Sequence, residues 1–400
     1  MINDQFCQPQ QRLLVLSQTA PEAVHHGIGL RAYHLLRNLP RGYQVSCLSA
    51  EKYGTSGLSS ASSLRRLRSC CRMQSPYRFE PELQRAFDKM LRDHAFDAVL
   101  VMGVDLLQYT EHCAVPVIAD LVDEPVLAAL RQIRVHGFSP DALRMAKHIF
   151  ELLPYLRRNC RKAQHCILVS QKDADWLRSI VPGAAVSVVP NGVDADYFCP
   201  AGRPVNPREV VFSGIMGFPP NIAAAQYFAS QVFPKILAAV PDCQWSIVGG
   251  SPTPEVQSLA GPNVRVTGFV PDLRPNLEQA AVIVSPLVSG GGMKNKILEA
   301  WAMGKAVIAT PLGCAGISVH DGVDLLVARN ADEFASKTVH LLNHPEEARR
   351  LGRCAQQTVA TNYSWSDKAR LLDRILRDVT GSAYSPPGCE YGTAAQEARP

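Results

Sequence analysis

Residues 281–311, AVIVSPLVSGGGMKNKILEAWAMGKAVIATP, constrain the fold more than any other stretch. Their pattern predicts strand, glycine loop, helix, strand. Val282, Ile283 and Val284 form a short β-branched run, the composition of a strand buried on both faces of a parallel sheet. Gly290, Gly291 and Gly292 follow, and consecutive glycines permit positive φ and bring bare backbone close to a ligand. From Met293 to Met303 the apolar residues Met293, Ile297, Leu298, Ala300 and Trp301 recur at helical spacing, and Gly304 supplies the stop. Val307, Ile308 and Ala309 open the next strand.

The chemistry lies in the loop and the first helical turns. A glycine loop feeding a helix N-terminus offers unpaired N–H groups and the positive end of the helix dipole. Lys294 and Lys296 add two cations. Glu299 falls three residues after Lys296 on the same helix face. A carboxylate there accepts hydrogen bonds from neighbouring sugar hydroxyls. An anion site beside a hydroxyl site suits a nucleoside-diphosphate sugar. The same residues also suit a solvated first turn with ordinary surface charges.

The runs Lys296-Ile297-Leu298-Glu299-Ala300 and Ala302-Met303-Gly304-Lys305-Ala306-Val307-Ile308-Ala309-Thr310 resemble the nucleotide-sugar signature of family 4 glycosyltransferases. The resemblance extends to the sugar transferases associated with bacterial exopolysaccharide (PEP-CTERM) clusters. It implies an α/β protein of the GT-B fold, with two Rossmann-like, doubly wound domains facing each other across a cleft. It implies transfer from a nucleotide-diphosphate sugar to a glycan or lipid-linked acceptor, with retention at the anomeric carbon and without a metal or a cofactor. The family often carries two glutamates eight positions apart. The second falls on Glu299, and the first would fall on Gly291. Two rivals use the same residues: a sugar-nucleotide epimerase, and a non-catalytic sugar-nucleotide-binding subunit of a polysaccharide assembly.

Composition narrows the class. A chain of 400 residues, 46% hydrophobic, suits two domains with sizeable cores. A net charge of +5, with no basic stripe interleaved with aromatics, argues against a nucleic-acid partner. The 12 cysteines are scattered and form no CxxC pair, as expected of a reduced, cytoplasmic protein. No apolar run reaches the ~18 residues of a membrane span. Arg65, Arg66, Arg68 and Arg72 form a basic cluster. It reads either as a solvated helix face or as a patch for peripheral contact with anionic lipid.

The chain then divides as follows. A first, acceptor-side domain spans 1–199, a linker 200–207, a nucleotide-sugar-binding domain 208–362, a helix returning to the first domain 363–380, and a disordered tail 381–400. Arg12 to Ser17 read as the first strand, and the loop after it carries His25, His26, Gly27 and Gly29 ahead of a helix from Leu30. Such loops lie at the carboxyl ends of strands, where ligands bind. The resemblance assigns Gly27 and Gly29 to the donor phosphates. His25, His26, Asp120 and Asp123 are the first-domain candidates for assisting catalysis. Asp123 also suits a helix N-cap. The triplets Asp173-Ala174-Asp175 and Asp194-Ala195-Asp196 read as structural. In the second domain Gly214, Gly217 and Asn221 follow a strand and face the donor. The Arg and Lys that many family members carry there are missing, which shifts the diphosphate onto Lys294 and Lys296. Gly268, Phe269 and Val270 are assigned to the nucleotide base, and Gly291, Gly292 and Met293 to the donor.

Overall fold

The computed structural model describes residues 11–21, 27–53, 75–123, 126–127, 130 and 140–381. His25, His26, the arginines at 65, 66, 68 and 72, and the tail beyond residue 381 lie outside the described residues.

The apolar runs become strands of two parallel sheets, six strands each. The first comprises β1 (Gln11–Ser17), β2 (Tyr43–Ser49), β3 (Ala98–Met102), β4 (Val117–Val122), β5 (His165–Leu168) and β6 (Val186–Val188), in the order β2-β1-β3-β4-β5-β6. The second comprises β7 (Glu209–Ser213), β8 (Gln244–Val248), β9 (Val264–Val266), β10 (Val282–Ser285), β11 (Val307–Ala309) and β12 (Leu326–Val327), in the order β12-β11-β10-β7-β8-β9. Helices cover both faces, so the central strands carry no polar alternation. Leu14, Val15 and Leu16 of β1 and Val282 and Val284 of β10 are fully buried. Each such side chain contributes about 1.5–3 kcal/mol through burial. Each sheet has one switch point, between β1 and β3 and between β7 and β10, where successive connections leave to opposite sides and open a crevice at the strand ends.

The two lobes are stitched together at a double crossing. Val193 N–H donates to Tyr363 O at 2.9 Å. A Cβ on Gly192 would lie 2.8 Å from Tyr363 O, so the strands of chain meet backbone to backbone there. The last helix, Trp365–Thr380, buries Trp365, Leu372, Ile375 and Leu376 against Leu13, Val15, Ala32 and Leu35 of the first lobe. Tyr43 Oη donates to Asp373 at 2.7 Å and fixes its far end.

Two helix starts differ from expectation, and a third helix is interrupted where its proline stands. The first helix is Gly27–Arg37, so Gly27 and Gly29 belong to its opening turn and not to a loop before it. A helix start has free N–H groups and tolerates glycine, so the early glycines do not delay it. The helical stretch 219–239 is interrupted by a π-turn, Phe228–Val232, next to Pro234. Proline has no N–H to donate, so the ladder slips before it. The helix after the triple glycine is Asn295–Ala302, shorter at its start than the apolar spacing implied, with Lys294 at its N-cap.

Candidate functional site

The connections after β7 and β10 part at the second lobe's switch point, and the glycine loops sit on them. Gly214 ends β7 with φ +151°. Gly249 ends the neighbouring β8, and a Cβ there would fall 1.8 Å from Gly214 O. Only glycine lets the two strand ends pass so closely. Asn221 Nδ2 donates to Ile215 O at 2.9 Å, which fixes its amide. Its Oδ1 then accepts from Lys296 Nζ at 2.8 Å. The same ammonium lies 4.4 Å from the centroid of the Phe212 ring, a cation–π contact. Gly214, Asn221 and Lys296, separated by up to 82 positions in the chain, thus form one cradle.

Burial dominates the charges of this cradle. It lowers the Lys296 ammonium to about 7, with Glu299 pulling the other way and Lys294 adding to the effect. Burial likewise raises the Glu299 carboxyl to about 7, against the opposing pull of Lys296. Desolvation therefore outweighs the attraction of this pair. Among the described residues the Glu299 carboxylate has no hydrogen-bond partner. An anion and a set of hydroxyls are what such a cation and carboxylate lack.

Lys294 does something else. It is 7% exposed, and its Nζ donates to Gly292 O at 2.9 Å and to Gly291 O. It pins the glycine loop, whose Gly290 and Gly292 both have positive φ. The expectation of two mobile cations is corrected to one held by a side-chain amide and one stapled to backbone carbonyls.

The first lobe meets this loop with an acidic turn. β4 loses its register between Asp120 and Val122, and Val122 sits at φ +64°, a conformation that β-branched residues avoid. The kink sends neighbouring carboxylates opposite ways. Asp120 is completely buried, ion-paired to Arg31 Nε at 2.8 Å, and its Oδ1 accepts from Val122 N–H at 3.2 Å. It therefore anchors Arg31 and is not presented to a ligand, contrary to the catalytic role read for it. Asp123 reaches over to the other lobe. A Cβ on Gly292 would lie 2.2 Å from Asp123 Oδ2, so glycine at 292 is what lets the carboxylate settle on the loop.

Other expected residues fall nearby. Gly217 lies against Ser251, 3.0 Å from its ideal Cβ to Ser251 O. Gly268 O accepts from Gly249 N–H at 3.2 Å, which places residues 268–270 beside the cradle. The Phe269 ring is 71% exposed and lies 3.7 Å from where a Gly250 Cβ would be. Val270, by contrast, packs partly buried against the core of its own lobe, so only its backbone can face a base. Met293 spends its side chain across the lobes, its Sδ accepting from Asn191 N–H at 3.2 Å.

Both lobes match known protein families. Residues 25–197 match the family described as Glycosyltransferase Family 4, and residues 207–344 match Glycosyl transferases group 1. Each lobe thus resembles a glycosyltransferase domain, and the two together have the GT-B fold. A phosphatidyl-myo-inositol mannosyltransferase of Mycolicibacterium smegmatis is 28% identical over 228 residues, which span 54% of this chain and 58% of that one. The chain thus matches little more than half the length of that curated relative. Among solved structures, sucrose-phosphate synthase from Thermosynechococcus elongatus superposes with a TM-score of 0.70 at 17% identity, covering 94% of this chain and 100% of that one. Anabaena HepE in complex with UDP-glucose superposes with a TM-score of 0.64 at 14% identity, covering 92% and 100%. At such identities the structural likeness speaks to the fold alone.

Sequence reasoning gave no role to three residues of the cleft: Arg31, Asn191 and Asn295. Arg31 Nη1 donates to Asn191 Oδ1 at 2.8 Å, and Asn191 Nδ2 donates to Asn295 Oδ1 at 2.9 Å. A signal existed for Arg31. It stands between Ile28 and Leu35 on the stripe that buries Ala32, a position where a helix on a sheet carries apolar side chains.

Proposed function

We propose that this protein moves a sugar from a nucleoside-diphosphate sugar to a hydroxyl on a glycan or lipid-linked acceptor, in the assembly of a bacterial exopolysaccharide or other cell-surface glycan. The observation that carries the reading is the Gly214–Asn221–Lys296 cradle with Glu299 beside it at the β7/β10 switch point. The UDP-glucose of the Anabaena neighbour supports the donor class, and the relation to a phosphatidyl-myo-inositol mannosyltransferase supports a lipid-linked acceptor.

In this reading the diphosphate lies on the glycine loops, where Lys296 and the opening N–H groups of helix Asn295–Ala302 meet it. An anion beside Lys296 favours the charged ammonium, so the lysine is protonated as the donor binds. That charge in turn favours an ionised Glu299, which accepts hydrogen bonds from the sugar hydroxyls. As the glycosidic bond breaks, negative charge grows on the leaving diphosphate, and the fixed cation and N–H groups stabilise it without reorganising. The acceptor hydroxyl attacks the anomeric carbon from the leaving-group face and gives retention. Asp123 stands on the first-lobe side of the glycine loop, where a carboxylate stabilises positive charge on the sugar ring and draws the hydroxyl proton. His25 and His26 are retained from the sequence as further candidates for assisting the acceptor. Phe269 gives the base a face to stack on. Among the described residues no helix is long and apolar enough to cross a membrane. We assign a cytoplasmic location, with the basic segment around Arg65 to Arg72 giving contact with the inner membrane face.

The test is release of nucleoside diphosphate from UDP-glucose and GDP-mannose, with and without membrane lipid as acceptor. Acceptor-dependent release by the unaltered protein, reduced about 10–100-fold in Glu299→Gln by loss of charge-assisted hydrogen bonds, supports the proposal. Unchanged turnover in Glu299→Gln removes the sugar-site assignment.

A further inference from the structure

The four side chains Asp120, Arg31, Asn191 and Asn295 form one hydrogen-bonded chain from the end of β4 to the first residue of the lysine-bearing helix. Its polarity is determined by chemistry. A guanidinium only donates. With Nε on Asp120 and Nη1 on Asn191, it requires the carbonyl oxygen of Asn191 to face it. The amide of Asn191 must then point its NH2 group the other way, at Asn295 Oδ1. That in turn assigns the outer end of the chain: Asn295 Nδ2, an NH2 donor with no partner among the described residues. Asn295 is partly exposed and stands between Lys294 and Lys296. The inner members are sealed off, Arg31 at 1% and Asn191 at 6% exposure, so water cannot scramble the order. Arg31 Nη2 is also buried without a partner, a desolvation that a merely structural arginine would avoid.

The geometry points to Asn295 as a further ligand of the donor's phosphates, oriented from the opposite lobe by Arg31 acting through Asn191. This rests on the diphosphate reading of the lysine turn and adds to it. Asn295 touches the anion. Arg31 and Asn191 are positioning residues. Lysine cannot replace arginine in this role, because a point charge does not donate in two fixed directions.

The experiment is calorimetric titration of the full chain with UDP, GDP, ADP and dTDP, with melting temperatures measured alongside. Asn295→Ala is expected to weaken the best-bound nucleotide about tenfold, as for one hydrogen bond to a charged group. Asn295→Asp, which sets a carboxylate against the phosphates, weakens it further. Arg31→Lys weakens it about threefold to tenfold, and combined with Asn295→Ala it costs no more than Asn295→Ala alone, because the arginine acts only through the asparagine. A structural role would not produce that non-additivity. Additive losses, or an Asn295→Ala affinity within about twofold of the unaltered protein, overturn the inference. If Arg31→Lys melts early, Asn295→Ala on the partly exposed helix start still decides. Lys296→Ala separates the two proposals. If it loses nucleotide while Asn295→Ala keeps it, only this inference fails. If Lys296→Ala binds as the unaltered protein does, the diphosphate site itself is elsewhere and both fail.

Discussion

Arg31 and Lys296 are cations on opposite sides of the cleft, and the molecule treats them in opposite ways. Arg31 is sealed in the first lobe, paired with a buried carboxylate and bonded onward to Asn191. Lys296, in the second lobe, has one amide oxygen and the face of a ring, and burial has lowered it to about 7. The first cation is committed to the fold. The second is held in readiness, poorly solvated and poorly neutralised, which destabilises the free protein and favours an incoming anion. A cation matched to a carboxylate organises a cleft, and an unmatched one binds.

Breaking each in turn sharpens the contrast. Arg31→Ala leaves Asp120 as a buried, uncompensated charge and is expected to cost about 3–5 kcal/mol of stability, read as a lower denaturant midpoint. Lys296→Met is expected to do the reverse to stability while lowering turnover by about 10²–10³ in rate. The sign follows from the direction of its shift. Between about 7 and the ordinary lysine value of 10.5 the unfolded chain holds a proton on Lys296 that the folded chain has lost, so stability of the unaltered protein rises with pH across that window. Lys296→Met should therefore melt higher than the unaltered protein at and below pH 7, and the gain should vanish by about pH 10. A melting temperature that falls at every pH would mean that Lys296 is a structural cation like Arg31. The smallest effect is expected at the strained turn. Val122→Gly relieves a positive φ and should raise stability by about 1 kcal/mol, net of glycine's entropy. It should also lower activity by freeing Asp123.

The two sheets were legible because parallel strands buried on both faces leave a plain signature, as in Leu13 to Leu16 and Val282 to Val284. The donor-side cradle was legible residue by residue, since each glycine and each lysine follows a strand. Its internal division of labour was not. Nothing in the spacing tells that Lys294 turns back onto Gly292 O while Lys296 reaches Asn221, 75 positions away. The acidic turn was read as two carboxylates of one kind. Their opposite fates depend on a positive φ at Val122, where the residue type itself argues for an extended strand. The partners of Arg31 were hidden for a related reason: they lie 89 and 160 positions away in the chain. Local pattern reveals which elements form. Which polar groups are used up between them is settled only by the packing.

The central claim is that Lys296 is held short of its proton until a diphosphate arrives. Calorimetric binding of the best-bound nucleoside diphosphate at pH 8, in buffers of different ionisation enthalpy, measures the protons taken up directly. At that pH a lysine near 7 is largely neutral and a carboxyl near 7 largely ionised, so Lys296 is the group that changes. Uptake approaching one proton in the unaltered protein, and none in whatever binding Lys296→Met retains, is the predicted result. Zero uptake by the unaltered protein, or equal uptake by both, would contradict it.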